Sequence, residues 1–411
     1  MHQESLDLFE RLFPGKPGLC KIKIEENEKD ILDKLGKMID NRQETIKQIE
    51  KLYNEDNLTV GAISEILGLN IIDTYKGLTS KKDLGLKCAN GVFNEITNAC
   101  EVLSKKPTLI LDLLTIFSIH QLEIQDIIVK EFSLGVGQST IDELRNIIYT
   151  NGFINKDGSL RLSKEGEQYV KYELTAEDIV NENELLKTIF SWVLANCKIV
   201  PCYKALDFNA IELNKLEACV GTDSLETFLL AHEQGRALFT DDERLRRFAI
   251  HDTVPMKNVV WSQGVIIYLY QKGKISLEDF SAAIVNMIQK NYKYVFIDYT
   301  ILLEAIKKSK WLFSEPFISV AQVLENTNKD LVLIFVPVLL LTIWLEVLLE
   351  TTRDEILTGV LEIIAKNTEC DYILENLKNR IAFKSVGIGQ NLNLLAENIN
   401  NKIIKWESSR L

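Results

Sequence analysis

The stretch GTDSLETFLLAHEQGRALFTDDERLRRFA, residues 221–249, constrains the fold more than any other part of the chain. Asp223 opens an apolar helix, Gly235 stops it, and a short apolar strand then ends on Asp241 and Asp242. Similar units lie around it. TLILD (108–112) reads as a buried strand ending on an acid, followed by the apolar helix LLTIFSIHQLEI. FSLGVGQS reads as a second strand, TIDELRNIIYTNG as a helix ending at Gly152, and KNVVWSQ (257–263) as a further strand. Alternating buried strands and helices predict an α/β fold, a central parallel sheet with helices on both faces. Two pieces interrupt the alternation. FINKDGSLRLS predicts a β-hairpin around Asp157-Gly158, and 176–200 is too long and too periodic for a strand. KIVPCYKAL (198–206) predicts a strand and turn.

The 411 residues exceed one ordinary core. The expected division is an N-terminal helical region, 1–106, an α/β domain, 107–305, with the hairpin and helical insert at about 152–200, and a C-terminal helical region, 306–411. In the first region, 25–53 is charged and amphipathic, with Ile31, Leu35, Met38, Ile46, Ile49 and Leu52 at helical spacing. Residues 58–78 predict two short helices around Gly68, read as a packing pair because no basic recognition helix follows. Beyond Gly264 helices dominate. Ser276 caps one, with Glu278 and Asp279 in its first turn, and 331–350 and 354–366 read as an antiparallel pair.

The net charge of -12 hides an asymmetry. Between Arg236 and Lys310 there are twelve Lys/Arg and eight Asp/Glu, net +4, which leaves -16 elsewhere. Local field decides where a polyanion docks. Seven scattered cysteines without a CxxC and four separated histidines point away from a zinc ribbon, a disulfide framework and a histidine metal site. The opening MHQESLDLFERLF is charged, so no signal peptide is expected, and a reducing cytoplasm is the expected compartment. LVLIFVPVLLLTIWL, fifteen uncharged residues with Pro337 inside, falls short of a membrane span and predicts a buried helix. SVGIGQN and GKPG lack the spacing of a nucleotide-binding loop.

The acids Asp112, Glu143, Asp223, Asp241 and Asp242 each have a structural reading. Asp112 and Asp223 can cap helices, Thr140 to Glu143 fits a capping box, and so does Thr240 to Glu243. Their conjunction carries the functional reading. Ligands of a parallel sheet gather beyond its carboxyl edge, where helix N-termini also lie. Clustered carboxylates without His or Cys suit a hard divalent ion, Mg²⁺ or Mn²⁺, whose use would be phosphodiester hydrolysis.

These blocks resemble the PIN-domain nuclease family. LILDLLTIFSI resembles its opening strand and first acid, STIDEL its second block, and GTDSLETFLLAHEQGRALFTDD its third and fourth. The resemblance implies a PIN-like sheet with Asp112, Glu143, Asp223 and Asp241 holding the metal. Asp242 is the alternate for the last place and Thr240 a near neighbour. VVWSQG resembles the final strand and turn, implying Ser262 facing the site. The resemblance covers about 107–270, and the flanks are similar to those of larger bacterial proteins that join a PIN-like domain to helical segments. It implies a metal-dependent endoribonuclease acting on RNA rather than DNA and leaving a 5′-phosphate and a 3′-hydroxyl. Arg244 and Arg247, three apart on one helix, are the expected phosphate contacts, with Arg246, Lys272, Lys274, Lys290 and Lys293 nearby. Arg247 can equally pair with Glu243 on a solvated face. Trp261, Tyr268 and Tyr270 could stack bases or fill the core. The competing reading is a catalytically silent PIN-like scaffold that binds a partner protein through its helical flanks.

Overall fold

The structure, a computed structural model, describes residues 28–89, 93–154, 158–165, 168–251, 258–385 and 390–410. The charged opening, GKPG, Asp157 and most of SVGIGQN lie outside them. Nine strands are described: β1 (Leu86–Lys87), β2 (Thr108–Leu111), β3 (Leu134–Val136), β4 (Ser159–Glu165), β5 (Gln168–Leu174), β6 (Cys197–Ile199), β7 (Arg236–Phe239), β8 (Val259–Val260) and β9 (Tyr292–Lys293). Five of them form a sheet in the order β6-β3-β2-β7-β8. Helices flank this parallel sheet, as the alternation predicts. β1 and β9 form a separate parallel pair, and β4 and β5 an antiparallel one. The chain divides into two compact units, residues 1–76 with 135–233 and residues 77–134 with 234–411.

In the second unit, β2 pairs in parallel with β7, and β7 with β8. Leu109, Ile110 and Leu111 of β2 and Ala237, Leu238 and Phe239 of β7 are fully buried. Strands covered on both faces need apolar residues at every position, which is why TLIL and RALF do not alternate. β8 is shorter than KNVVWSQ predicts, because the Ser262–Gln271 helix begins at Ser262 and draws that residue out of the strand. Ser276 caps the Leu277–Gln289 helix by accepting from Asp279 N. The apolar 331–345 run forms the Lys329–Glu346 helix, buried at Val332, Val336, Pro337, Leu340 and Trp344 and packed on the Cys370–Ser385 helix. Among the described residues no helix is long and apolar enough to cross a membrane.

In the first unit, the expected helical pair is Val60–Leu67 and Ile71–Ser80, the latter extending four residues into the second unit. Thr59 caps the first of them, and Gly68 ends it in the left-handed conformation at φ 61°. Gly61 lies against the N-terminus of the Thr222–Ala231 helix. A Cβ on Gly221, at φ 85°, would fall 2.6 Å from the Gly61 backbone, so glycine is required for this approach. Thr222 Oγ1 then donates to Glu65 Oε1.

Three local expectations are corrected. The hairpin does not turn at Gly158, which precedes β4: β4 and β5 pair in antiparallel register from Ser159 with Leu174 to Glu165 with Gln168, and Asp157 lies outside the described residues. The second-block helix begins at Gln138 instead of being capped by Thr140, which is buried within it. A π-turn, Thr150–Ile154, carries that helix past Gly152.

Candidate functional site

Parallel pairing of β2 with β7 sets the geometry of the site. Leu111 is in register with Phe239, so Asp112 and Thr240 leave the sheet side by side at its carboxyl edge. Thr240 Oγ1 donates to Asp112 Oδ2 at 2.5 Å. Asp112 Oδ1 accepts from Thr115 N at 2.7 Å and so caps the Leu113–Gln121 helix. The capping role and the place in the acid pair therefore coexist in one carboxylate.

The next acid is held more tightly. Asp241 accepts from Ser118 Oγ at 2.6 Å, Ser262 Oγ at 2.7 Å and Ser262 N at 2.8 Å, while its own N donates to Thr115 Oγ1 at 3.1 Å. Thr115 and Ser118 are three apart on one helix, so a single face serves both bonds. Ser262 N opens the Ser262–Gln271 helix, whose positive end faces the carboxylate. Asp242 Oδ1 accepts from Arg244 N at 3.0 Å and Leu245 N at 3.2 Å, capping the helix that follows. The cap expected from Thr240 passes to Asp242, because the Thr240 hydroxyl is directed to Asp112 and accepts from Asp242 N.

Asp112, Asp241 and Asp242 are each 3% exposed or less. Burial pushes the Asp112 carboxyl up to about 6, against the bonds from Thr115 and Thr240, and the Asp241 charge adds to the rise. Among the described residues neither Asp112 nor Asp241 is paired with a Lys or Arg; their partners are hydroxyls and amides. Two buried, mutually repelling, oxygen-only donors fit a hard divalent cation.

The other expected ligands belong to the first unit. Glu143 is half-buried on the Gln138–Tyr149 helix; burial raises its carboxyl, a bond with Asn146 lowers it and the Glu65 charge raises it. That helix is capped by Glu226, whose Oε2 accepts from Ser139 N at 2.7 Å. A Cβ on Gly137 would lie 2.4 Å from the same oxygen. Asp223 sits in the first turn of the Thr222–Ala231 helix, for which Gly221 is the cap residue; its side chain is outside the described set. Among the described residues no group of three or more His, Cys, Asp or Glu side chains is assembled for a metal ion.

The basic residues divide by face. Arg246 is 1% exposed: it donates to Thr240 O and Cys88 O, pairs with Glu95 at 2.8 Å and lies over Trp261 at 4.8 Å. This ties the strand end carrying the acids to the core and takes Arg246 away from any phosphate. Arg247 pairs with Glu243 at 2.7 Å, while Arg244 is half-buried. Lys274 pairs with Glu131, and Lys290 bonds Gln121. Lys293 donates to Lys82 O, and Lys272 lies over the Tyr268 ring. Trp261 and Tyr268 are buried core aromatics, while Tyr270 stacks on Phe280.

Sequence reasoning did not reach Thr115, Ser118, Glu95, Glu226 or Tyr292. Hydroxyls inside an apolar helix carry no pattern of their own. Only an expected acid beside them could have drawn attention to Thr115 and Ser118.

With this geometry in place, the fold and site define a class. A parallel sheet with flanking helices and buried acids at the carboxyl ends of neighbouring strands is consistent with a PIN-like core. Residues 110–251 match the model of a family described as a PIN domain associated with the TPR-GreAB-C-PIN system. The match is to a PIN-domain family over that segment, and helical regions flank it. No curated protein and no solved structure matches the chain.

Proposed function

We propose that the chain is a divalent-cation-dependent nuclease acting on RNA, with Asp112 and Asp241 as the core of its site. The observation that carries this reading is the pair of buried carboxylates at neighbouring strand ends, without a cationic partner among the described residues, one of them held at about 6. Asp242, which caps the helix that follows, is the further acid at this edge, and Glu143 and Asp223 are the ligands that the resemblance to the family implies.

A bound Mg²⁺ or Mn²⁺ would neutralise phosphate charge and lower the pKa of the attacking water. Asp112 and Asp241 hold the negative charge that would localise the ion. Thr240, Thr115, Ser118 and Ser262 fix the carboxylate rotamers, so little reorganisation is needed when substrate arrives. Arg244 is the phosphate contact that remains, since Arg246 is in the core and Arg247 faces Glu243. In-line attack leaving a 5′-phosphate and a 3′-hydroxyl is the proposed outcome.

The test is cleavage of single-stranded RNA with Mn²⁺ by the wild type, Asp112→Asn and Asp241→Asn. The expected result is cleavage by the wild type and a loss of at least about a hundredfold in each folded variant. Equal cleavage by all three would remove the proposal.

The second reading, a catalytically silent scaffold, draws on a different observation. Leu345, Leu348 and Leu349 are 56%, 88% and 69% exposed around the turn between the Lys329–Glu346 and Glu350–Ile364 helices. Exposed leucines together can form a protein-binding surface. The system named in the family description also supports a protein partner. A wild type without cleavage or Mn²⁺-dependent stabilisation would favour this reading.

A further inference from the structure

We propose that Tyr292 is a positioning residue of the acidic site, acting through Ser118 on Asp241, so that the region beyond the family-matched segment completes that site. The proposal rests on the nuclease reading above and names a residue the family match does not reach. Tyr292 lies on β9, outside residues 110–251, and is 4% exposed. Its hydroxyl bonds the Ser118 hydroxyl.

The direction of the chain follows from counting protons. A serine hydroxyl has one proton, and Ser118 donates it to Asp241 Oδ2 at 2.6 Å. The Ser118 oxygen can then only accept, so the Tyr292 O–H is the donor. Tyr292 to Ser118 to Asp241 is a one-way series in which each bond polarises the next. Ser262 approaches the same carboxylate with both its hydroxyl and its backbone N. Both supports, Ser262 and Tyr292, come from chain that follows the matched segment. β9 is placed by its pairing with β1, where Tyr292 is in register with Leu86, a fully buried residue. The tyrosine is therefore anchored by sheet pairing and core packing, and its hydroxyl is delivered to a helix whose N-terminus holds Asp112.

Outer partners of this kind set the orientation of ligating carboxylates, and losing one commonly weakens metal affinity by about ten- to a hundredfold. A role confined to packing would instead lower metal-free stability and leave the affinity of folded molecules unchanged.

The experiment is calorimetric titration of the full chain with MnCl₂, paired with thermal unfolding in EDTA. The proteins are the wild type, Tyr292→Phe, Ser118→Ala, Asp241→Asn and the control Tyr149→Phe, an exposed tyrosine of the first unit. The expected result is binding by wild type and Tyr149→Phe, binding roughly tenfold weaker in Tyr292→Phe and Ser118→Ala, and the largest loss in Asp241→Asn. Ser118→Ala cuts the same series without touching the tyrosine, so the proposal stays open to refutation even if Tyr292→Phe fails to fold. Wild type, Tyr292→Phe and Ser118→Ala binding alike, with Asp241→Asn weakened, overturns the positioning role and leaves the nuclease reading intact. A wild type that binds no Mn²⁺ overturns both.

Discussion

At the residue scale, the acids at the sheet edge are defined by what surrounds them. Asp112 is buried, bonded to Thr115 and Thr240, and raised to about 6 from an ordinary carboxylate value. Because the folded pKa lies above the unfolded one, the folded state binds the proton more tightly. The stability this contributes is fully present below about pH 4 and is lost as pH rises through about 6, on the order of 2–3 kcal/mol in all. Asp112→Asn keeps an acceptor for Thr115 N and has no charge to bury. Urea unfolding of the metal-free protein is therefore expected to show wild-type stability falling between pH 4 and 7 relative to the variant. Parallel pH profiles would show that burial does not control this group. The acid itself was legible in TLILD, because an apolar run that stops at a carboxylate marks a strand end. Arg246 was not: three arginines in ERLRR look alike, and only the helical phase turns the middle one onto Trp261 and Glu95. Ser118 and Tyr292 meet across 174 positions, a separation that no local pattern announces.

At the element scale, short segments are held by close backbone approaches and borrowed caps. Gly61 and Gly221 bring the Val60–Leu67 and Thr222–Ala231 helices together, and Glu226 caps the Gln138–Tyr149 helix where Gly137 leaves it room. Gly221→Ala places a methyl against the Gly61 backbone and forces a left-handed φ on alanine. A destabilisation of about 2 kcal/mol or more is expected, readable as a lowered midpoint in thermal or urea unfolding. An unchanged midpoint would show that the helices separate easily. The same scale explains which elements were legible. The buried strands, the Ser276 cap and the helical pair around Gly68 follow from local chemistry. The hairpin was displaced because Asp-Gly is a strong turn signal wherever it stands, while the antiparallel register sets Glu165 opposite Gln168 and leaves Gly158 before β4. The Thr140 capping box failed because Glu226, 87 residues from its partner Ser139, supplies the cap.

At the scale of the whole molecule, two compact units divide the expected ligands. Asp112, Asp241 and Asp242 fall in one, and Glu143 and Asp223 in the other. The fold class was legible because fully apolar strands alternating with helices admit few architectures. The register that sets Asp112 beside Thr240 was not, since it depends on pairing strands 128 positions apart. The central claim is that the carboxylates ending β2 and β7 hold a divalent cation, and crystals soaked in Mn²⁺ test it most directly. Anomalous difference density is expected as a peak bonded to the carboxylates of Asp112 and Asp241, lost in Asp112→Asn crystals. Saturating Mn²⁺ that leaves no peak at that sheet edge, or a peak there that survives in Asp112→Asn, would contradict the account.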